Sequence, residues 1–290
     1  MQTEQILSNN LAKSLGLSTD LYLKREDQHI FGSHKGRSIP LMIKKHRADG
    51  WNNFVISSSG NSALAGIHFV LLYNKEGNNQ DKINLRVFVG KNINQEKYDE
   101  IIGLASLAQD DNVNIKQVDN PKQQAFQLDK TGQAKFLRQS TDDTALLGYH
   151  ELAKELSEIK NLSAVFIPTS SGTTAQGLHQ GFAKLDLNPQ IHIIQTTACH
   201  PIINTEQGNE ASLANAIVDK VAHRKQAVKS IIKAGWMANN QEIKQAIELV
   251  QQTEKIKISP NSALSIVGLK QALDQGWKFN GAVVCLLTGR

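Results

Sequence analysis

Short apolar runs, rich in β-branched residues, alternate along the chain with longer segments whose apolar residues recur every three or four positions. Several of the short runs are apolar at nearly every position, which is typical of strands covered by helices on both faces. The predicted strands cover residues 21–24, 54–56, 85–89, 164–167, 191–195 and 282–287. Because strands and helices alternate, the pattern predicts an α/β protein with mainly parallel sheets.

Two segments show a clear helical period, which indicates amphipathic helices. In residues 61–74 the predicted apolar face comprises Leu64, Ile67, His68, Leu71 and Leu72. In residues 239–253 it comprises Ile243, Ala246, Ile247 and Val250. The stretch from about residue 75 to residue 143 is the most polar part of the chain and has the weakest element signals. We expect it to belong to a smaller and more mobile domain.

Composition and charge narrow the class of protein. The chain has 290 residues, 40% of them hydrophobic, which suffices for one large or two modest domains. Its basic residues are spread among acidic ones, so we expect no nucleic-acid partner. No apolar run reaches the length of a membrane span, and the N-terminal segment lacks the layout of a signal peptide, so we expect no membrane partner and a cytoplasmic location. Cys199 and Cys285 lie far apart without paired ligands, so we expect neither a disulfide framework nor a metal site.

Short polar loops follow three of the predicted strands. Two of them, SSSGN at residues 57–61 and TSSGTT at residues 169–174, come directly before apolar helical segments, and the third is the TGR that ends the chain. Ligands of open α/β sheets bind beyond the carboxyl ends of the strands, and small residues that open a helix bind anions. The alternative is that Ser, Thr and Asn serve only as helix caps. Neither loop fits the nucleotide-binding patterns of P-loop or dinucleotide-binding proteins.

A lysine stands in a fourth loop, FGSHKGRS at residues 31–38. It follows the strand-like LYLKRED and precedes the helix-like IPLMIKKHR. Taken by itself, Lys35 could be a solvated charge, a phosphate-binding residue or a nucleophile.

In this order, the segments resemble those of the fold-type II, or tryptophan synthase β-like, family of pyridoxal-phosphate enzymes. LYLKREDQHIFGSHKGR is similar to the family's strand and GS-x-K-x-R segment, SSSGNSALAG to its SSGN loop, and PTSSGTTAQG to its Gly-rich phosphate loop. ISPNSALSIVGL is similar to EPSSAAALAGL, and VVCLLTGR to the strand that ends in a Ser/Thr-Gly pair. The resemblance implies two domains of open, parallel-rich sheets flanked by helices. Residues 1–40 and 145–290 would form the large cofactor-binding domain, and residues 41–144 the small mobile domain with the SSSGN loop.

The resemblance assigns the catalytic role to Lys35, which would hold pyridoxal 5'-phosphate as a Schiff base and move the substrate's Cα proton. This chemistry needs an amine neutral enough to attack a carbonyl, a state that desolvation and nearby cations promote. Lys24 lies within the strand pattern and lacks the flanking Ser33 and Arg37, so we expect it to be structural.

The other implied site residues follow the motifs. Asn61 would hydrogen-bond the cofactor's phenolic oxygen, and Thr288 would face its pyridine nitrogen. The substrate carboxylate would be bound by Ser58, Ser59, Gly60 and Ser62. The cofactor phosphate would be bound by Ser170, Ser171, Gly172, Thr173 and Thr174 at a helix N-terminus.

A hydroxyl at Thr288 does not keep the pyridine nitrogen protonated, which favours prompt loss of a leaving group. The resemblance therefore implies elimination or replacement at Cβ or Cγ of an amino-acid substrate. TTACHPI at residues 196–202 and the TGR ending are similar to threonine synthase, which makes threonine from phosphohomoserine. The alternatives are a threonine/serine dehydratase or another β-eliminating lyase, and a family member that binds the cofactor or an amino acid without catalysis.

Some positions depart from the family pattern. The phosphate loop has a single glycine, His34 and Gly36 flank the lysine, and Ser259 stands where Glu is usual. We expect His34 to be a structural hydrogen-bonding residue, with an acid/base role as the alternative. The chain ends two residues after Thr288, whereas many relatives continue past this strand. From the resemblance we expect a closing C-terminal element to be missing or supplied by another chain, and a homodimer is the assembly that we consider.

Overall fold

The computed structural model describes residues 2–77, 82–108, 111–204 and 211–289, and the chain divides into two compact units. The first unit comprises Met1–His29 and Leu146–Arg290, and the second comprises Ile30–Ala145. Among the described residues, no helix combines the length and the apolar character needed to cross a bilayer.

The elements alternate along the chain as an α/β pattern requires. The strands are β1 (Gln5–Leu7), β2 (Leu21–Arg25), β3 (Asn53–Ser57), β4 (Asn84–Gly90), β5 (Val113–Val118), β6 (Lys135–Phe136), β7 (Leu162–Pro168), β8 (Gln190–Thr196), β9 (Ala234–Ala238) and β10 (Ala282–Leu287). The α-helices are α1 (Asn9–Leu15), α2 (Lys35–Ala48), α3 (Asn61–Glu76), α4 (Gln95–Ala105), α5 (Pro121–Lys130), α6 (Thr144–Leu156), α7 (Thr173–Ala183), α8 (Lys225–Lys229), α9 (Asn240–Glu254) and α10 (Pro260–Asp274). A short 3₁₀ helix, Glu26–Gln28, follows β2.

The described strands of the first unit form one sheet in the order β1-β2-β10-β7-β8-β9. Only β1 runs antiparallel to its neighbour within this sheet; the other pairs are parallel. The central strand β10 is buried at every position, and α10 is buried along most of its length against the sheet. This explains why both segments are almost wholly apolar in sequence.

The described strands of the second unit form a smaller sheet in the order β5-β4-β3-β6, and all its pairs are parallel. Its core brings the strands β3 and β4 together with α2 and α3, through Phe54, Ile56, Leu85, Val87, Ile39, Met42, Ile67 and Val70. Since parallel strands all end at one edge of the sheet, the loops that follow β3 and β6 leave from the same edge.

The predicted fold class is confirmed. All six predicted strands are present, as β2, β3, β4, β7, β8 and β10, each within two residues of its predicted bounds. The two predicted amphipathic helices are α3 and α9, and on α9 the residues Ile243, Ala246 and Val250 are buried as expected.

The predicted apolar face of α3 is wrong in part. Ile67 is buried, but Leu72 is 41% exposed and the other three predicted members are only partly buried. The inward face runs through Ala63 and Gly66, because small residues let the helix approach the sheet closely. A Cβ on Gly66 would lie only 2.7 Å from Ile56 Cδ1.

Residues 30–40 belong to the second unit, whereas the sequence placed them in the large domain. Phe31 and Ile39 pack into the same core as Phe54 and Ile56. These contacts assign the whole segment, including Lys35, to the second unit.

Candidate active site

Lys35 is the first residue of α2, in the second unit. Its backbone N–H donates to Ser33 Oγ at 3.3 Å, and the N–H of Gly36 donates to the Ser33 carbonyl at 2.9 Å. Ser33 is fully buried, and His34 is buried beside it, whereas the Lys35 side chain is half-buried. The turn therefore fixes the backbone of Lys35 and leaves its side chain partly accessible.

A buried pair of side chains joins this turn to the segment that follows β6. Gln139 Nε2 donates a short hydrogen bond to Ser38 Oγ, and Ser38 Oγ donates to the Lys35 carbonyl at 3.4 Å. Ser38 is fully buried and Gln139 is 8% exposed, so the chain of hydrogen bonds is shielded from water. Gln139 thereby holds the first turn of α2, which includes Lys35.

The loop after β3 opens helix α3. The N–H of Gly60 donates to Ser58 Oγ at 3.2 Å, and no side-chain hydrogen bond caps α3 among the described residues. A Cβ on Gly60 would meet no described atom within 4 Å. Asn61 and Ser62 are half-buried at the start of the helix. The N–H groups of this first turn are suited to bind a carboxylate.

Lys35 and the Ser58–Ser62 loop are brought to one edge of the second unit's sheet. The N–H of Leu137 donates to the Val55 carbonyl at 2.9 Å, which extends the pairing of β6 with β3 beyond the strand end. Gln139 follows Leu137 closely and holds the turn of Lys35. The second unit therefore groups the predicted lysine with the predicted substrate loop.

In the first unit, the loop after β7 opens helix α7. Gly172 has a φ of 90°, a left-handed conformation that favours glycine, and a Cβ there would lie 2.5 Å from Val228 Cγ2. Ser171 Oγ and Thr173 Oγ1 lie 2.9 Å apart, and no side chain caps α7 in the described part of the chain. Thr174, like Thr173, is buried. The loop thus groups two hydroxyls with a helix N-terminus, an arrangement that suits a phosphate.

Ser170 has an additional role in this loop. Its Oγ accepts hydrogen bonds from the N–H groups of Val218 and Asp219, at 3.3 and 3.1 Å. A hydroxyl accepts through two lone pairs and donates one proton. With both lone pairs engaged, the Ser170 hydroxyl acts toward a further group as a donor, which suits an anion.

Gln195 on β8 holds the same loop, and sequence reasoning did not identify it. Its Nε2 donates to the carbonyls of Thr169 and Ser170, both at 3.3 Å, while its Oε1 accepts from the N–H groups of Ile202 and Ile203. The side chain is fully buried. The available signal was a polar amide within the predicted strand 191–195, since a buried amide needs partners.

Thr288 directly follows β10 and is 3% exposed. The neighbouring Gly289 is held by two serines at the start of α10, the N-cap residue Ser259 and Ser262: its carbonyl accepts from Ser259 Oγ at 2.6 Å and from Ser262 Oγ at 2.9 Å. Ser259 also caps α10 by accepting from the Ser262 N–H. The serine that departs from the family pattern therefore fixes the end of β10, next to Thr288.

The two cysteines of the chain both lie in the first unit. Cys199 and Cys285 are both buried and free of disulfides, and burial raises the pKa of the Cys199 thiol. Within residues 2–77, 82–108, 111–204 and 211–289, no group of three or more His, Cys, Asp and Glu side chains is arranged to hold a metal ion.

Each unit therefore holds its own share of the predicted site residues. The second unit holds Lys35, Ser58, Ser59, Gly60, Asn61 and Ser62. The first unit holds Ser170, Ser171, Gly172, Thr173, Thr174 and Thr288.

Comparison with known proteins gives a family and a set of relatives. The model of the family described as "Pyridoxal-phosphate dependent enzyme" matches residues 1–289. The chain is similar to threonine synthase from Mycobacterium bovis, with 28% identity over 309 residues that cover 99% of this chain and 80% of the relative. It is also similar to threonine synthase from Methanocaldococcus jannaschii, with 24% identity over 314 residues that cover 97% of this chain and 72% of the relative.

Solved structures share the fold. The processed form of threonine deaminase isoform 2 from Solanum lycopersicum has a TM-score of 0.79 at 18% identity, covering 100% of this chain and 79% of that one. Maize serine racemase has a TM-score of 0.82 at 13% identity, covering 100% of this chain and 88% of that one. At these identities the likeness establishes the fold and leaves the reaction to other observations.

Proposed function

The chain belongs to the pyridoxal-phosphate dependent enzyme family, and we propose that it is a threonine synthase-like enzyme that converts phosphohomoserine to threonine. In chemical terms, this is elimination and replacement at Cβ and Cγ of an amino acid. The observation that carries the proposal is the similarity to two threonine synthases over 99% and 97% of this chain.

The residues of the first unit fit the cofactor's phosphate. Gly172 allows the tight turn, α7 directs its first N–H groups out of the helix end, and the Ser170 hydroxyl is set to donate. Ser171 and Thr173 add hydroxyls in the same loop. Under this proposal these residues, with Thr174, hold the phosphate, and Thr288 offers the pyridine nitrogen a neutral hydroxyl.

The residues of the second unit fit the reacting end and the substrate. Lys35 would anchor the cofactor covalently and, once released from it, take the proton from the substrate's Cα. Asn61 would donate a hydrogen bond to the cofactor's phenolic oxygen. The first turn of α3, with Ser58, Ser59, Gly60 and Ser62, would hold the substrate carboxylate. When bound, the cofactor supplies the electron sink for bond breaking at the substrate's Cα.

A neutral partner for the pyridine nitrogen would stabilise negative charge from the substrate's Cα less strongly than a charged partner. It therefore favours reactions in which a leaving group departs early. Here the leaving group is the phosphate on Cγ: its loss requires that protons leave Cα and Cβ, after which the hydroxyl of water adds to Cβ and protons return to Cγ and Cα. The net reaction takes up one water and releases one phosphate for each threonine formed.

The test is a substrate panel with the purified protein and added pyridoxal 5'-phosphate. The panel contains O-phosphohomoserine, threonine, serine and O-acetylserine, and both the visible spectrum and the products are followed. We expect threonine and inorganic phosphate in equal amounts from O-phosphohomoserine, and neither from the Lys35→Ala variant.

Other outcomes of the panel would replace the proposal. A 2-oxo acid and ammonia from threonine or serine, with O-phosphohomoserine inert, would make the protein a dehydratase. A spectrum that responds to amino acids without turnover of any would make it a non-catalytic binding protein.

A further inference from the structure

The chain beyond β10 is held by residues at the start of α10. In the described sheet, the ladders that join β10 to β2 and to β7 extend no further than Leu287. Thr288 and Gly289 come next, and both are buried. Buried backbone groups beyond the end of a ladder need other hydrogen-bond partners. Gly289 finds them in two side chains, those of Ser259 and Ser262.

These two serines, termed here the Gly289 clamp, engage both polar groups of the Gly289 backbone. The carbonyl accepts from Ser259 Oγ at 2.6 Å and from Ser262 Oγ at 2.9 Å, as its two lone pairs allow. The N–H of Gly289 donates to Ser262 Oγ at 3.3 Å. Ser262 is fully buried and Ser259 is half-buried. The peptide plane between Thr288 and Gly289 is therefore fixed through its N–H, and with it the backbone from which the Thr288 side chain leaves.

The clamp requires a proton donor at position 259, whereas the helix cap does not. Ser259 Oγ also accepts from the Ser262 N–H at 3.2 Å and so caps α10. An ionised carboxylate would serve as a cap, since Asp is as good an N-cap residue as Ser. It has no proton to donate, however, and would repel the Gly289 carbonyl. A hydroxyl at position 259, where the family pattern has Glu, thus suits the clamp, and substitution can separate its two roles.

We propose that Ser259 and Ser262 are positioning residues, which direct the Thr288 hydroxyl toward the pyridine nitrogen of the cofactor. The proposal rests on the proposed function for the identity of the ligand and for the role of Thr288. Without the clamp, Thr288 keeps its hydroxyl but loses its fixed backbone. The interaction with the pyridine nitrogen should then weaken, although both serines lie outside the phosphate loop and touch the site only through Gly289.

The first measurement is amide hydrogen exchange of peptides that contain Gly289, in protein freed of cofactor. Ser259→Asp keeps the cap and removes the donor, Ser262→Ala removes both contacts of its hydroxyl, and Ser259→Thr keeps cap and donor. The matched control is Ser265→Ala, because the buried Ser265 hydroxyl donates to the Ser262 carbonyl at 2.9 Å and has no described bond to Gly289. We expect exchange to be faster by about tenfold in Ser259→Asp and Ser262→Ala, and unchanged in the other two variants. Unchanged exchange in all four would refute the clamp.

The second measurement is titration with pyridoxal 5'-phosphate, followed by visible absorbance, in a double-mutant cycle of Ser262→Ala with Thr288→Val. We expect Ser262→Ala to weaken affinity by about threefold to tenfold and to shift the absorption maximum of the bound cofactor. In the Thr288→Val background it should change neither, because no hydroxyl is left to position. Ser265→Ala should bind the cofactor like the wild type.

A loss of affinity that is equally large with and without Thr288 would show that Ser262 only supports the fold, and would overturn the proposal. Unchanged affinity and spectrum in Ser262→Ala would overturn it as well. If Ser262→Ala does not fold, Ser262→Cys takes its place in the cycle, because a thiol is only a weak donor, and the same two outcomes decide. Wild-type protein that binds no cofactor would instead refute the proposed function, whereas additive effects in a protein that binds it would refute the positioning role alone.

Discussion

Lys24 and Glu155 form a buried ion pair in the first unit, with Lys24 Nζ 2.5 Å from Glu155 Oε2. Lys24 is fully buried, and its Nζ also donates to the Thr3 carbonyl at 2.8 Å. The N–H of Thr3 donates in turn to Glu155 Oε2 at 3.3 Å. An amine held in this way has a structural role, as the strand position of Lys24 suggested.

We predict that Lys24→Met lowers the free energy of unfolding by about 3–5 kcal/mol, because it leaves the Glu155 carboxylate in a buried place without its cation. Adding Glu155→Leu should recover part of the loss, since both charges are then gone. The measurement is urea unfolding. Lys270→Met, which breaks the exposed Lys270–Asp274 pair, is the control and should change stability by about 1 kcal/mol or less. A Lys24→Met variant as stable as the control would contradict the buried pair.

His192 is buried in the first unit and stacks on Phe166, with ring centroids 4.4 Å apart. Trp236 Nε1 donates to His192 Nδ1 at 3.1 Å, so the proton of the neutral ring is on Nε2, which lies 3.2 Å from Gln190 Oε1. Burial, with a smaller effect of the Lys233 charge, lowers the pKa of His192 from 6.5 to about 4.

The low pKa of His192 predicts a pH dependence of stability. Between the folded pKa of about 4 and the unfolded value of 6.5, the unfolded chain binds more protons than the folded one. Stability therefore falls as the pH drops through this range, with a contribution of up to about 3 kcal/mol from this group. Urea unfolding at a series of pH values should show a shallower slope for His192→Gln than for the wild type. Equal slopes for the two proteins would count against a neutral His192 in the folded state.

Gly172→Ala should damage both stability and cofactor binding. An alanine at position 172 must adopt a positive φ, and its Cβ would lie 2.5 Å from Val228 Cγ2. Gly276→Ala is the matched control, because Gly276 has a φ of 81° but no described atom within 4 Å of the Cβ position. We expect Gly172→Ala to lower the free energy of unfolding by about 1–3 kcal/mol more than the control, as measured by urea unfolding. It should also weaken cofactor affinity, as measured by absorbance titration. Adding Val228→Ala to Gly172→Ala should restore part of the lost stability and part of the lost cofactor affinity. Identical behaviour of Gly172→Ala and Gly276→Ala would contradict the close contact between Gly172 and Val228.

The Gln139–Ser38 hydrogen bond predicts an energetic coupling between these residues. Gln139→Leu removes the donor to the fully buried Ser38 hydroxyl and should lower the free energy of unfolding by about 1–3 kcal/mol. Ser38→Ala with Gln139→Leu should cost less than the sum of the single changes, because neither polar group is then left behind. Urea unfolding of the four proteins in a double-mutant cycle measures the difference. Strictly additive costs would show that the pair does not hold the Lys35 turn.

Sequence alone identified six of the ten described strands and missed β1, β5, β6 and β9. β10 and β7 are nearly continuous apolar runs, whereas β5, VNIKQV, alternates with polar residues at the edge of its sheet. β1 and β6 have only three and two residues, too few for a period to be visible. Pairing with neighbours, which no local pattern encodes, stabilises these strands.

The same distinction applies to the site. The loops around Lys35, Ser58 and Ser170 were predicted because each follows a strand and carries a local motif. Gln195 was not, because its role depends on tertiary contacts. Gln195 reaches the Ser170 loop only because β8 pairs with β7.

The lysine that carries the cofactor can be identified by mapping the site of attachment. Protein reconstituted with pyridoxal 5'-phosphate is reduced with borohydride, digested and mapped by mass spectrometry. We predict one modified peptide, with the cofactor on Lys35, and the same label in Lys24→Met but none in Lys35→Ala. Labelling of a different lysine, or a wild-type protein that takes no label, would contradict the assignment of Lys35.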